Sequence, residues 1–394
     1  MTGTIQIRGY VVGFGDCILL SLPDGAETRH ILIDFGRAPN DPSSLIRFPD
    51  IARDIEKQCN GKIDLLIVTH EHLDHLEGFY REREIFNRMD IERVWMGLPS
   101  HPDYYRDFPK AKLQKKLRDG LTGFAREVRR NRMALHPAFR SLLENNLANK
   151  DRLDYLRELG KRPVAYLARG QASAASVFKN IRIRVLAPEP DVSVYYSASS
   201  RERALTTALA AAGSGRDKPA RGSGGDEGFD WEFPAVARAA AAERGGVSAS
   251  DFERLRRAIR EDGVAAARFI DKAQNNTSLC LLIEAAGKRL LLPGDAELES
   301  WEMIEKKCAA ELKPVDFLKV AHHGSHNGTP LELLDRLLPA RRKAQAQVLV
   351  STKRQVYGTK NPVPDDSLLK ELKSRCHRLV TTDGAAGTAV ELSL

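Results

Sequence analysis

The chain has 394 residues, 42% of them hydrophobic, and is therefore long enough for one large domain with insertions or for two domains. No run approaches the roughly 18 apolar residues of a membrane span, and the start lacks the form of a signal peptide. Five scattered cysteines, none in a CxxC pair, argue against a disulfide framework, so we expect a cytoplasmic protein with no membrane segment.

The net charge of +8 is concentrated in one part of the chain. Residues 103–162 hold 16 Lys and Arg against 8 Asp and Glu, a surplus that equals the excess of the whole chain. A localised basic face attracts polyanions such as nucleic acid, although a solvated helical surface has the same composition.

Hydrophobic patterning in the first 100 residues predicts strands and one helix. Apolar and polar residues alternate over 4–35 around a turn signal at 23–25, which predicts two or three antiparallel strands. A helix is expected over 45–59, followed by a buried strand over 63–68 and another strand over 91–96.

The middle of the chain changes character twice. Apolar residues recur at helical spacing from about 103 to 162, and strand character returns over 177–186. Residues 207–228 are rich in Ala, Gly and Ser, which predicts a mobile loop, and helical spacing follows over 250–270.

Strands and helices alternate from residue 276 to the end. Strands are expected at 278–284, 289–292, 315–320 and 347–351 and near 378 and 389, and helices at 297–309, 330–337 and 366–374. We divide the chain into a core half at 1–100, a basic helical insertion at 101–170, core strands at 171–190, a second insertion at 191–272 and a second core half at 273–394.

The most informative run is LIVTHEHLDH at 66–75, where a buried strand ends in three histidines and a carboxylate. Imidazole and carboxylate are ligands that suit Zn, Mn or Fe. Residues two apart in an extended or turning loop point the same way, so His70 and His72 can bind one ion, and Asp74 and His75 then project toward a second. The alternative is a solvated polar turn with stray histidines.

Four stretches of the sequence resemble the metallo-β-lactamase superfamily, whose signature is HxHxDH after a buried strand. They are VGFGDCIL at 12–19, ILIDFG at 31–36, the run at 66–75, and a C-terminal pair, LLLPGD at 290–295 with LKVAHHGS at 318–325. In particular the chain is similar to the hydrolase domain of ComEC-type competence proteins and its stand-alone relatives. The resemblance implies an α/β fold, an αββα two-sheet sandwich with helical insertions.

The resemblance also implies two divalent ions, Zn or Mn, and a bridging role for Asp295. Because adjacent residues on a strand point to opposite faces, only one of His322 and His323 can face the ions. We expect the ligand to be His322, while His323 contacts substrate or supports the ligands. Asp34 is implied to orient a ligand histidine, with a strand-end cap as the alternative. The residues expected to act in catalysis are Asp74, His75, Asp295 and His323.

The chain departs from the family's pattern in two places. Many family members carry a His before the bridging Asp, but this chain has QNNTS at 274–278. The competence-type branch also tends to have Asn and Ser in this place. Asn275 or Asn276 could offer an amide oxygen, which favours Mn over Zn. At 357–362 the chain has YGTKNP where the branch commonly has YGHP. The remaining candidate substrate contacts are Ser325, His326 and Lys360.

These features predict a metal-dependent hydrolase. The leading hypothesis is a phosphodiesterase or nuclease in which hydroxide activated by two metals attacks DNA or RNA held by residues 103–162. The alternative is a small-molecule hydrolase that acts on a lactam, thioester or cyclic nucleotide, since a fold does not determine the substrate. A scaffold with a vestigial site is disfavoured by the retained ligands. A further hypothesis keeps the enzyme and lets the insertions dock a regulatory protein.

Overall fold

The computed structural model describes residues 3–39, 41, 48–112, 137–147, 149–171, 178–196, 264–354, 356 and 362–394, together with single positions between 114 and 130. The described strands are β1 Gln6–Tyr10, β2 Ile18–Asp24, β3 Glu27–Ile33, β4 Lys62–Ile63, β5 Leu65–Val68, β6 Asp90–Ile91, β7 Val94–Gly97, β8 Ala165–Leu167, β9 Arg182–Ala187, β10 Cys280–Ala285, β11 Lys288–Leu292, β12 Phe317–Lys319, β13 Gln347–Val350, β14 Arg378–Thr381 and β15 Ala389–Ser393. The described α-helices are α1 Phe48–Gln58, α2 Leu73–Arg81, α3 Arg83–Phe86, α4 Tyr104–Asp107, α5 Pro137–Asn145, α6 Lys150–Leu159, α7 Val264–Asn275, α8 Leu298–Cys308, α9 Leu331–Leu337 and α10 Asp366–Arg375.

The strands form two large sheets and one small one. The first sheet has seven strands in the order β15-β1-β2-β3-β5-β7-β8, the second has six in the order β14-β13-β12-β11-β10-β9, and β4 pairs with β6. In the first sheet β3, β5, β7 and β8 run parallel, and in the second β11 to β14 do. The chain's first and last strands are antiparallel neighbours, so the two predicted core halves share one sheet.

The two large sheets enclose a common apolar core. Side chains alternate across β2: Ile18, Leu20 and Leu22 lie in the inter-sheet core with residues of the second sheet, whereas Leu19 packs on the outer face beneath helices. Residues of α1, α2, α3 and α6 cover the outer face of the first sheet, and residues of α8, α9 and α10 cover that of the second. The fold is therefore α/β, with two sheets between layers of helix.

Most predicted elements are confirmed within two or three residues. The alternating segment at 4–35 forms β1 to β3, and the turn signal becomes a tight hairpin in which Asp24 pairs with Glu27 and Gly25 has φ 74°. Helices predicted at 45–59, 297–309, 330–337 and 366–374 correspond to α1, α8, α9 and α10. The predicted helix at 250–270 is described only from Val264, and the predicted loop at 207–228 lies outside the described residues.

Two features differ from the predicted boundaries of the first insertion. Ala165–Leu167 forms the edge strand β8 of the seven-stranded sheet, paired with β7. Leu153 and Leu156 of α6 are buried against the outer face of the same sheet. Residues 150–167 are thus packed into the core rather than set apart from it, because a short strand and one apolar helix face carry too weak a pattern to be separated from their helical neighbours.

The remaining sequence-level expectations concern cysteines and the membrane. All five cysteines are free, as their scattered spacing predicted. Among the helices that the structure describes, none is long and apolar enough to cross a membrane.

Candidate metal centre

The carboxyl ends of parallel strands from both sheets deliver polar residues to one edge of the sandwich. Asp34 follows β3 and His70 follows β5, its parallel neighbour. In the second sheet Asp295 follows β11, and His323 follows the adjacent parallel strand β12. The turn before Asp295 needs Gly294, whose φ is 60° and whose missing Cβ would lie 3.0 Å from that of Ser278.

Four buried side chains form a compact group: Asp74, His75, Asp295 and His323. Their potential ligand atoms all lie within 4.8 Å of one another, and this group could hold a metal ion. The Oδ2 atom of Asp295 lies 3.1 Å from Nε2 of His75 and 3.0 Å from Nε2 of His323. Oδ2 of Asp74 lies 3.4 Å from the same nitrogen of His323.

The helix α2 explains why two of these residues come from one motif. His72 occupies the N-cap of α2, and Asp74 and His75 lie in its first turn. The extended or turning loop predicted at 70–75 therefore passes into the first turn of a helix at Leu73. The loop that follows β3 can lie this close to α2 only because it contains Gly36. A Cβ at that position would lie 2.3 Å from the carbonyl oxygen of Leu73.

Each of the two cluster histidines is held through its outer nitrogen. Nδ1 of His75 lies 2.8 Å from the carboxylate of Asp34, and Nδ1 of His323 lies 3.0 Å from the carbonyl oxygen of Ser351. Both partners accept hydrogen bonds, so the outer nitrogens donate and the inner Nε2 atoms of the neutral rings present lone pairs to Asp295. Acceptors that converge in this way require a cation between them, either protons or a metal ion, so the donor set of two imidazoles and two carboxylates fits Zn or Mn.

The same centre contains a buried lysine that patterning did not single out. Lys319 is 1% exposed. Its ammonium pairs with Asp16, lies 3.4 Å from Oδ1 of Asp295 and donates to the carbonyl oxygen of Gly294 at 3.1 Å. It therefore supplies a permanent positive charge on the side of Asp295 away from the histidines. A lysine inside the apolar segment 317–321 was the available signal, since lysine is almost never fully buried without a partner.

Charge coupling shifts the pKa values of the group in opposite directions. Burial alone would raise the pKa of Asp295, but His323, His75 and Lys319 hold it well below its usual value. Burial would lower the pKa of His75, yet Asp295, Asp34 and Asp74 raise it well above the usual value. The pKa of His323 is raised in the same way, mainly by Asp295 and Asp16. Without a metal the group therefore balances its carboxylates with protons on histidine.

His70 and His72 form a second, smaller arrangement. Nε2 of His70 and Nδ1 of His72 lie 2.9 Å apart, so the two rings converge as the spacing predicted. The described residues provide no further ligand that completes a group of three around this pair. Burial, His75 and His72 lower the pKa of His70 well below its usual value, which keeps the ring neutral and available as a ligand.

The preference for His322 as the ligand differs from the observed arrangement. The strand β12 ends at Lys319, and both His322 and His323 adopt left-handed backbone angles, with φ 47° and 53°. Strand alternation therefore does not apply to them. His323 is fully buried in the four-residue group, whereas His322 is partly exposed, 3.3 Å from the amide nitrogen of Asn275 and 3.5 Å from Glu297.

Glu297 is a second residue that the sequence analysis missed. It is 2% exposed and accepts hydrogen bonds from the side-chain amides of Asn275 at 2.7 Å and Asn327 at 2.5 Å. Burial raises the pKa of Glu297 to about 8. Its position two residues after Asp295 was the available signal.

The two asparagines proposed as amide ligands have different roles in the structure. Asn276 accepts from the backbone N–H groups of Glu297 and Ser300, so its oxygen caps the start of α8 and is not available as a ligand. The amide oxygen of Asn275 is buried and has no hydrogen-bond partner. An orphaned buried acceptor fits a cation contact, so Asn275 alone remains a candidate ligand.

The predicted substrate contacts are spread more widely. Asp34 lies beside His75, as the resemblance implied. Ser325 is buried and donates to Oδ1 of Asn327 at 2.6 Å, while His326 is exposed. Lys360 lies outside the described residues.

The basic segment at 103–162 is extensively paired with acidic groups. Arg118 lies 2.6 Å from Glu71 in the histidine-rich run at 66–75, the metal motif, and Arg152 lies 2.9 Å from Glu77 of α2. The described basic side chains there that pair with carboxylates are Arg106, Lys115, Arg118, Arg140, Arg152, Arg157, Lys161 and Arg162. Several of these cations join the segment to the core.

Comparison of the chain with models of known protein families and with curated proteins finds no match. The candidate centre is consequently defined by its own geometry: four convergent buried ligand groups, a buried ammonium, and a second histidine pair.

Proposed function

We propose that the protein is a metal-dependent hydrolase of the metallo-β-lactamase type that cleaves phosphodiester bonds in nucleic acid. The observation that carries the proposal is the convergence of Asp74, His75, Asp295 and His323, whose potential ligand atoms all lie within 4.8 Å of one another. A divalent ion bound there would act as a Lewis acid toward water and a phosphoryl oxygen. The sequence resemblance and the two-sheet architecture support the same assignment.

The chain's own residues have distinct parts in this proposal. Asp34 and the Ser351 carbonyl hold His75 and His323 with their inner nitrogens toward Asp295, so the ligand set is organised before an ion arrives. We assign the first ion to the four-residue group and a second to His70 and His72, which converge at 2.9 Å. His322, partly exposed at the rim of the group, is assigned to substrate contact.

Metal content and cleavage together test the proposal. Purified protein is analysed for bound metal and then incubated with labelled single- and double-stranded DNA and RNA in the presence of Mn or Zn. We expect bound metal and metal-dependent cleavage, both lost in Asp295→Asn. The exposed His377, which precedes β14 and so lies at the amino ends of the parallel strands, provides a matched control, since His377→Ala should retain both. The proposal is contradicted if the purified protein binds no metal and cleaves none of these nucleic acids in the presence of Mn or Zn.

The ion pairs of the basic segment favour a second candidate, a small-molecule hydrolase of the same type. Eight described cations of the segment already contact carboxylates, so fewer of them remain available for a polyanion. The dependence of substrate binding on salt separates the two candidates. A steep fall in affinity with rising salt indicates a nucleic acid, and a shallow dependence indicates a small substrate.

A further inference from the structure

Two adjacent asparagines at the end of α5 reach into the candidate metal centre. Asn145 and Asn146 are 4% and 2% exposed and belong to the segment predicted to be an accessory helical insertion. Neither was singled out by the sequence, because asparagine at a helix end is ordinarily a cap. Their contacts are made to side chains of the metal motif.

Asn145 forms a reciprocal pair with Asp74. Its amide nitrogen donates to Oδ1 of Asp74 at 3.0 Å, and its amide oxygen accepts from the backbone N–H of Asp74 at 3.2 Å. The carboxylate is thereby held by one oxygen, and the other oxygen is left 3.4 Å from Nε2 of His323. Asn145 thus fixes the orientation of the Asp74 carboxylate, with Oδ2 toward His323 and Oδ1 3.9 Å from Nε2 of His75.

The orientation of the Asn146 amide is determined by two acceptors. Its nitrogen donates to the carbonyl oxygen of Leu142 at 2.9 Å and to Oδ1 of Asp271 at 2.7 Å. Neither a carbonyl nor a carboxylate can donate, so the amide oxygen must point the other way, to Nε2 of His72 at 2.9 Å. His72 therefore carries its proton on Nε2, and its Nδ1 lone pair is directed at His70.

His70 is fixed in the complementary tautomer. The hydroxyl of Thr69 donates to the Asp34 carboxylate at 2.7 Å, so it can only accept from Nδ1 of His70, at 3.1 Å. Nε2 of His70 and Nδ1 of His72 then both present lone pairs across 2.9 Å. Two lone pairs at this distance repel each other unless a cation lies between them, which is the arrangement of two ligands on one ion.

We propose that Asn145, Asn146 and Asp271 form a positioning network that completes the metal centre. Asn145 and Asn146 come from the first predicted insertion and Asp271 from the second, so both insertions support the ligands directly. This inference rests on the proposed metal-dependent function. It assigns no contact with substrate to the three residues, which act through Asp74 and His72.

The network is tested on the full chain by metal titration and by nitrogen NMR of the histidine rings. In Asn146→Leu the Nε2–H group of His72 loses its acceptor, and we expect the affinity for the Mn or Zn ion at His70 and His72 to fall by about 10–100-fold. In the metal-free protein His72 should change from a single tautomer protonated on Nε2 to a mixture. Asp271→Leu should have a smaller effect of the same kind, because Asp271 holds Asn146 through a hydrogen bond at 2.7 Å but lies 3.7 Å from Nε2 of His72.

Conservative and distant variants control for a general effect on folding. Asp271→Asn retains an acceptor for Asn146 and should preserve both the tautomer and the affinity. Asn87→Leu removes an exposed asparagine whose side chain accepts a hydrogen bond from the hydroxyl of Tyr155, and it should match wild type. An unchanged His72 ring spectrum in Asn146→Leu overturns the inference. If wild type binds no metal, the proposed function fails, and the tautomer measurement still decides whether the network positions His72.

Discussion

Replacement of Lys319 by methionine should destabilise the metal-free protein severely. The side chain is 1% exposed, and its ammonium faces Asp16 and Asp295 while donating to the carbonyl oxygen of Gly294. Methionine has a similar length but no charge, so the change removes the ammonium that pairs with two buried carboxylates.

The expected loss follows from the burial of both partners. Removal of one member of a buried ion pair costs about 3–5 kcal/mol, since the remaining charge is left unpaired in the interior. A folded domain is stabilised by only about 5–15 kcal/mol, so this loss is a large share of the total. Because the two charges interact, the effects of substituting them should not be additive. Asp16→Asn should therefore lower the free energy of unfolding by less in the Lys319→Met background than in wild type.

Urea unfolding in excess chelator measures the effect, because no bound metal ion can then compensate for the lost ammonium. Lys313→Met is the matched control, since Lys313 is exposed, and it should change the free energy of unfolding by less than about 0.5 kcal/mol. Equal stability of Lys319→Met and Lys313→Met would refute the reasoning. Additive effects of Lys319→Met and Asp16→Asn would show that the pair does not interact.

Three further outcomes are expected. His323→Ala should remove a metal equivalent and His326→Ala should not, by metal analysis, and equal metal content in the two variants would contradict the assignment. The pKa of His75 is raised in the folded protein, so its contribution to stability is complete below about pH 6.5 and is lost as the pH rises through the raised pKa. Thermal unfolding in chelator should show this loss, and excess Mn or Zn should abolish it. Asn276→Ala should cost about 1–3 kcal/mol in urea unfolding by leaving the buried backbone N–H groups of Glu297 and Ser300 unpaired, with metal content unchanged.

The strands and helices of both core halves were predictable because their patterns are local. Successive residues of β2 face opposite sides of the sheet, with Ile18 and Leu20 on one face and Leu19 on the other. This alternation depends only on the order of neighbouring residues. The convergence of His70 with His72 was predictable for the same reason, since the two residues are close in sequence.

The choice between His322 and His323 was not predictable from strand geometry. Strand alternation would apply only if β12 extended to His322 and His323. The strand instead ends at Lys319, and the two histidines have left-handed backbone angles. Such backbone angles are unfavourable for histidine and persist where the surroundings enforce them, here through the burial of His323 against Asp295 and Ser351.

By itself, the sequence determined the class of fold, the positions of most elements and the main group of metal-binding residue types, because periodicity and motif spacing act over a few residues. Only the tertiary structure decided which atoms face one another. It placed Lys319 beneath Asp295, assigned the caps of α8 to Asn276, and brought Asn145, Asn146 and Asp271 beside the metal motif. Those contacts join residues 21 to 125 positions apart, and such separations are closed by packing rather than by local pattern.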